Sequence, residues 1–500
     1  MDGSNTLSAG LLGVNSLEVR KTSLVSAGDA EFGMTREERP RLAILAQRGS
    51  RSLASFEGEA SAHGSGTLLL CPTSARNAAA LRESFPWLEP RTLGVGTSAG
   101  LGDRLGLATP GHVRAVRAAG GNLAPIFAQQ SIREMERTGR TPRQVMDDAT
   151  WGVFAEGWQD GFGADADHLK TPADVDACVA AGYTFFTFDP GDHVDDAAEE
   201  ADATDLRAML DHLPWDLLED TEKDQFGRYA KRRFELDGRD LALDEAVVAL
   251  AAAKYGRALA HAATLYRHLE GTMGDRPFEV EVSVDETASP TTHAQHLYIA
   301  NELSRLGVRW VSLAPRYVGR FEKGVDYIGD VALFEEDFAV HAAIARRFGP
   351  YKLSLHSGSD KFSIYPAAVR QARGLVHLKT AGTSYLEALR TAAALDADLF
   401  RGIYTFALER YGEDRASYHV SASLEKAAEP GDIAGKDLSA LLDRFDEREI
   451  LHVTFGSVLT REDLRDRLMG VLAAHPEDYA ENLEKHFLRH LKPFAKGASV

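Results

Sequence analysis

Short, continuous apolar runs recur along this chain, each followed by a loop and then a helical pattern, and that rhythm admits few folds. The runs are Thr92–Val95, Asn122–Gln129, Phe162–Ala166, Tyr183–Phe188, Phe278–Val284, Val308–Ala314, Tyr351–Leu355 and Leu375–Leu378. Most are apolar throughout instead of strictly alternating, as expected of strands covered on both faces. Helical patterns intervene at Ser131–Glu136 with Pro142–Ala149, Asp174–Ala181, Thr291–Leu306, Asp337–Phe348 and Tyr365–Arg373. Eight β/α units predict an α/β protein with a TIM-type (β/α)8 barrel, whose active site is built at the C-terminal strand ends. An open doubly wound sheet is the alternative, and it would use the same strand ends.

Two stretches break the rhythm. Residues 192–277 carry an acidic run, Asp195 to Asp202, and then long helical patterning, which reads as a helical insertion after the fourth strand, a lid or an oligomer contact. Residues 1–65 are less regular and form an N-terminal segment ahead of a barrel-like catalytic domain spanning 66–390. From 391 to 500 a mostly helical extension, with strand-like pieces at Tyr418–Ser421 and Leu451–Phe455, is expected to pack on the barrel.

Composition narrows the partners. A net charge of −19 offers no basic field for nucleic acid. Two cysteines, Cys71 and Cys178, support neither a disulfide framework nor a Cys-x-x-Cys metal site. The first residues lack a basic start followed by an apolar run, and the longest apolar helical stretch, near Ala246–Ala253, is too short to span a bilayer. The expectation is a cytoplasmic enzyme with a small-molecule substrate and no membrane partner, with homo-oligomerisation open.

The polar residues cluster at strand ends. Asp165, Asp167, His168 and Lys170 follow the third run, just before a helix start at Thr171-Pro172. Strand alternation sends Asp165 and Asp167 to one face and His168 to the other, but the chain turns past the strand end and all can converge. Imidazole with carboxylates suits Zn, Mn, Fe, Co or Ni; the plain alternative is helix capping by the two acids beside a structural histidine. His356 ends the seventh run and reads as a second metal ligand, or as a strand-end histidine satisfied by a carbonyl. Glu279, Glu281 and Asp285 share one face of the fifth run. In a barrel that face is interior, so Glu281 and Asp285 become acid/base or ligand candidates; a solvent-facing stripe is the other reading. In the charged loop after the sixth run, Arg316 or Arg320 could clamp a carboxylate and Glu322 could reach a metal. The glycine-rich segment Gly94–Arg104 is a poor match to a dinucleotide fingerprint and reads as a loop closing on a small polar ligand, with Asp103 and Arg104 as contacts.

With these segments assembled, the chain resembles the tagaturonate/fructuronate epimerase family. The resemblance rests on Gly100–Gly106, Gln129–Glu134, Asp165–Thr171, Leu355–Lys361 and His377–Thr380. It implies a divalent-metal-dependent isomerase that inverts one hydroxyl-bearing carbon of a keto-uronate. It further implies Asp167 as proton acceptor, Glu281 as proton donor, and His168 and His356 as metal ligands, with Glu322 filling the third ligand position. Substrate contacts are expected from Asp103, Arg104, Gln130, Lys170, Asp192, Asp285, Arg320, Lys361 and Lys379, with Asp165 orienting His168. The inverted carbon lies β to the keto group, so its C–H is not acidified. A retro-aldol route through an enediolate is therefore expected over direct deprotonation or transient oxidation. A metal-dependent sugar aldolase or ketose isomerase, and a non-catalytic sugar-acid-binding protein, are the competing readings.

Overall fold

The computed structural model describes residues 10–14, 17–432 and 435–496. Eight parallel strands close a barrel in chain order: Ser98–Leu101, Ala124–Ser131, Gly163–Leu169, Phe185–Phe188, Glu279–Val284, Ser312–Pro315, Lys352–Leu355 and Val376–Thr380. The eighth pairs back onto the first, from His377 opposite Ser98 to Thr380 opposite Leu101. Every residue of these strands is buried or nearly so, because helices cover the outside and side chains fill the inside. The (β/α)8 barrel expected from the sequence rhythm is the fold.

The first strand lies later than its apolar run suggested. Thr92–Val95 is irregular chain and a turn, and the strand is Ser98–Leu101, inside the glycine-rich segment. Two of its glycines, Gly100 and Gly102, are required by close packing. A Cβ on Gly100 would stand 2.7 Å from Oε1 of Gln129 on the neighbouring strand. The Leu93 and Gly94 N–H groups instead cap the lower rim of the barrel, both donating to the Glu279 carboxylate. Beside them Lys352, fully buried, donates to the Gly94 carbonyl at 2.9 Å and the Ser98 hydroxyl at 3.0 Å. Burial pulls its ammonium down to about 8.

Between the fourth and fifth strands come helices Ala203–Asp211 and Glu222–Tyr229, then an antiparallel hairpin of Arg232–Leu236 with Arg239–Leu243 that the helical reading of 192–277 missed. The long helix Glu245–Met273 follows and packs between Pro172–Ala181 and His293–Arg305, as a barrel helix does. Ahead of the barrel, in the stretch without clear sequence rhythm, Val25–Ala27, Ala30–Met34, Leu42–Gln47, Glu59–His63 and Gly66–Cys71 form a five-stranded antiparallel sheet. Beyond residue 391 the described chain is mostly helical, with an irregular stretch over 418–429. Leu451–Phe455 spans the end of one helix and the start of the next, so it is no strand, and Tyr418–Ser421 joins no sheet. The last helix, Pro476–Lys496, packs on Thr109–Ala119. Among the described residues no helix is long and apolar enough to cross a membrane.

Because the buried Glu279 carboxylate accepts from two part-buried amides, Glu279→Ala should cost about 2 kcal/mol of stability by removing these charge-assisted hydrogen bonds. Urea unfolding followed by circular dichroism measures this; an unchanged midpoint would contradict the rim's role.

Candidate active site

Four inward side chains from three strands meet at the C-terminal end of the barrel. Asp165 and Asp167 alternate on the third strand, Glu281 comes from the fifth and Lys379 from the eighth. Lys379 Nζ lies 2.9 Å from Asp165, 2.7 Å from Asp167 and 2.9 Å from Glu281, and it donates to the Thr187 hydroxyl at 2.7 Å. All are buried. Burial alone would discharge the ammonium, but the three carboxylates outweigh it and hold Lys379 well above its ordinary value. The carboxylates respond unequally. Burial, with Lys379 in partial opposition, pushes Asp165 up to about 6. For Asp167 burial is overcome by Lys379, His168 and His356, and for Glu281 chiefly by Lys379 and His356, so both stay ionised.

The backbone turns over at His168. Its φ is 53°, left-handed for a residue with a Cβ, and the register with the fourth strand slips between Ala166 and Leu169. This bulge lets Asp167 and His168, neighbours in sequence, face the same cleft, which regular alternation forbids. His168 Nδ1 is held by Asp189 at 3.0 Å, at the end of the fourth strand. Its Nε2 points at His356 Nε2, 2.8 Å away, and His356 turns Nδ1 towards Glu281 at 3.3 Å. Asp167 Oδ1 stands 3.4 Å from His356 Nε2. Burial opposes a charge on His168, but Asp167 and Asp189 overcome it and raise its pKa to about 10. With each Nδ1 directed towards a carboxylate, the two Nε2 atoms face one another, an arrangement that a proton carried by His168 satisfies, or a metal ion that displaces that proton. Two groups of potential ligand atoms therefore meet here: Asp167, His168 and His356, and His168, Asp189 and Glu286.

The cleft above is lined by Arg104, Arg133, Glu134, Lys323, Tyr418 and His452, among others. Arg104 pairs with Glu134 at 2.6 Å and stacks over Phe455. Arg133 pairs with Glu286 at 3.0 Å. Lys323 donates to the Ser357 hydroxyl at 3.0 Å; among the described residues, no carboxylate lies within 4.0 Å of its ammonium.

Of the residues picked from sequence, the structure brings together Asp167, His168, Glu281, His356 and Lys379, while Arg104, Lys361 and Glu322 also line the cleft. Glu322 stands apart from the potential metal ligands: its Oε2 accepts from the Ser421 N–H and hydroxyl, and its Oε1 faces Arg320 at 3.3 Å. Lys361 is spent on three carbonyls, of Glu322, Val325 and Ser359. Asp103 does not face the cleft; its carboxylate caps the N–H groups of Leu105, Gly106 and Ala108. Lys170 pairs with exposed Asp192 at 2.9 Å, and neither lines the cleft. Asp285 accepts from Ser283 and, with Arg320, lines an adjoining hollow. Gln130 is buried on the second strand. Asp165 does not orient His168: its contacts are Thr187 at 2.9 Å and Lys379, and Asp189 does the orienting. Sequence reasoning missed Asp189, Glu286, Glu134 and Lys323. The first ends the Phe185–Phe188 strand and was open to the same strand-end logic; the others show their place only through packing.

A parallel barrel with carboxylates, imidazoles and an ammonium converging at its strand ends is an enzyme framework for a small polar substrate. A family model described as tagaturonate epimerase (UxaE) matches residues 20–494. A tagaturonate/fructuronate epimerase of Thermotoga maritima is 42% identical over 475 residues, covering 95% of this chain and 96% of that protein. Crystal structures of the fructuronate-tagaturonate epimerase UxaE from Cohnella laeviribosi, native and with one glycerol, each align at TM-score 0.90 and 36% identity over 97% of both chains. The chain belongs to the tagaturonate epimerase family, and it is an isomerase of the carbohydrate epimerase class. The resemblance read from the motifs is borne out.

Removing the ammonium tests the charge cluster. Lys379→Met leaves buried carboxylates without their cation, at an expected cost of about 3–5 kcal/mol at pH 7. Their folded pKa values then rise above the unfolded ones, so the deficit should shrink as pH falls towards 5 and they take up protons. Urea unfolding at the two pH values reads this, and an equal deficit at both would contradict the charge assignment.

Proposed function

We propose that this protein interconverts D-fructuronate and D-tagaturonate by a retro-aldol inversion of the hydroxyl-bearing carbon β to the keto group, using a divalent cation held by Asp167, His168 and His356. The observation that carries the reading is the facing pair of imidazole Nε2 atoms, 2.8 Å apart, with His168 Nδ1 hydrogen-bonded to Asp189 and His356 Nδ1 3.3 Å from Glu281. Two imidazoles, His168 giving up its proton on binding, and a carboxylate suit a borderline divalent ion such as Zn, Mn, Fe, Co or Ni. When bound, such an ion supplies positive charge that polarises the keto oxygen.

The chain's own groups do the rest. Asp167 lines the cleft and is kept ionised, so it takes the proton from the β-hydroxyl oxygen. The Cα–Cβ bond breaks, its electron pair passes to the keto half as an enediolate, and the β-carbon becomes an aldehyde. The aldehyde half turns over, the enediolate carbon attacks its other face, and the new alkoxide is reprotonated. Lys379 bridges Asp167 and Glu281, so as the ammonium takes the proton held by Asp167 it passes one of its own to Glu281, which then protonates the new alkoxide. Asp189 keeps His168 oriented. Arg104 and Arg133 are already neutralised by Glu134 and Glu286, which leaves Lys323 to hold the substrate carboxylate.

Chelator-treated enzyme should lose at least 100-fold in fructuronate conversion and regain it with a single added divalent ion, whereas His168→Ala and His356→Ala should not be rescued. Chromatography of the products reads both claims. Full activity after chelation would contradict the cation, and accumulating three-carbon fragments would point to an aldolase instead.

A further inference from the structure

Away from the barrel mouth, helices His293–Arg305 and Val331–Phe348 lie side by side on the outer face of the barrel. They bring together three more potential ligands, His293, Asp337 and His341. Asp337 and His341 are four residues apart, so they project from the same face of their helix. His341 is fully buried, Asp337 nearly so, and His293 keeps 31% side-chain exposure, which opens the cluster to solvent.

His293 Nε2 lies 2.9 Å from Asp337 Oδ1, and His341 Nε2 lies 3.6 Å from Asp337 Oδ2. Neither His341 Nε2 nor Asp337 Oδ2 has a hydrogen-bond partner. On its other side His341 Nδ1 meets His296 Nδ1 at 2.8 Å, and His296 Nε2 meets the Tyr351 hydroxyl at 2.8 Å. With His341 donating from Nδ1 along that chain, its Nε2 presents a lone pair to a carboxylate oxygen. Two buried acceptors then face each other across a gap too long for a hydrogen bond. In a tetrahedral zinc site with bonds of about 2.0–2.1 Å, neighbouring ligand atoms stand about 3.3 Å apart. One ligand atom from each of the three residues lies within 4.8 Å of the others, with His293 beside Oδ1 of Asp337 and His341 beside Oδ2, so small side-chain adjustments reach that spacing.

We propose that His293, Asp337 and His341 form a second divalent-cation site, of the zinc class, distinct from the cleft and with its remaining position open to water. The His296–Tyr351 chain fixes the tautomer of His341, as partners of a ligating imidazole do. The ion clasps two barrel helices. It also stiffens the base of the loop that carries Glu322 and Lys323 to the cleft, because Tyr317 at that base packs its ring against His341 at 5.5 Å.

Equilibrium dialysis of the whole protein against low-micromolar zinc, with metal content read by mass spectrometry, tests this. The unmodified protein should hold two zinc equivalents per chain, and His293→Ala and Asp337→Asn should each hold one fewer. Zinc should also raise the Tm of His356→Ala but not that of the His293→Ala/His356→Ala double variant. Zinc content unchanged by both His293→Ala and Asp337→Asn would overturn the site. So would a single equivalent that His356→Ala alone removes. A content lowered by His293→Ala but untouched by His356→Ala would support this site while contradicting the proposed cation in the cleft.

Discussion

The structure turns on one ammonium group. Lys379 is buried among Asp165, Asp167 and Glu281, and its charge is what lets three carboxylates share the barrel interior. The strand period makes this possible: Asp165 and Asp167 are two residues apart and both point inward, and the register places the third, fifth and eighth strands around one centre. One ammonium against three carboxylates leaves negative charge in excess even with Asp165 raised towards protonation. The excess falls where His168 and His356 converge, so the same cluster that fixes Lys379 prepares a seat for further positive charge.

The left-handed turn at His168 converts this charge cluster into a site. A regular strand would have sent His168 outward into the helical layer; the bulge turns it inward beside Asp167, and Asp189 holds the ring. A non-glycine residue in that conformation carries strain, which persists only where surrounding contacts fix it. Here the fixing contacts are the carboxylate on Nδ1 and the facing imidazole on Nε2.

The barrel was legible because buried parallel strands leave continuous apolar runs, and the site's centre was legible because its polar residues sit at the ends of those runs. Asp167, His168, His356 and Lys379 all follow that rule, and Glu281 follows from the interior face of the fifth strand. What escaped depends on contacts between distant segments. Glu322 is drawn off by Ser421, 99 residues later, and Asp103 spends its carboxylate on its own turn. The first strand was misplaced because its small residues carry little apolar signal; at Gly100 the side chain of Gln129 leaves no room for a Cβ. Lys170 pairs with Asp192 on the outside and stands 3.8 Å from Asp189, so it borders the site without lining the cleft.

The central claim is that the facing imidazoles of His168 and His356 and the Asp167 carboxylate hold one divalent ion. Anomalous diffraction at the metal edge, from crystals grown with zinc or manganese, tests it most directly. The account predicts a peak between the two Nε2 atoms, within about 2.0–2.2 Å of both nitrogens and of an Asp167 oxygen. A fully metal-loaded crystal with no peak there, and with the two rings joined by a proton alone, would contradict it.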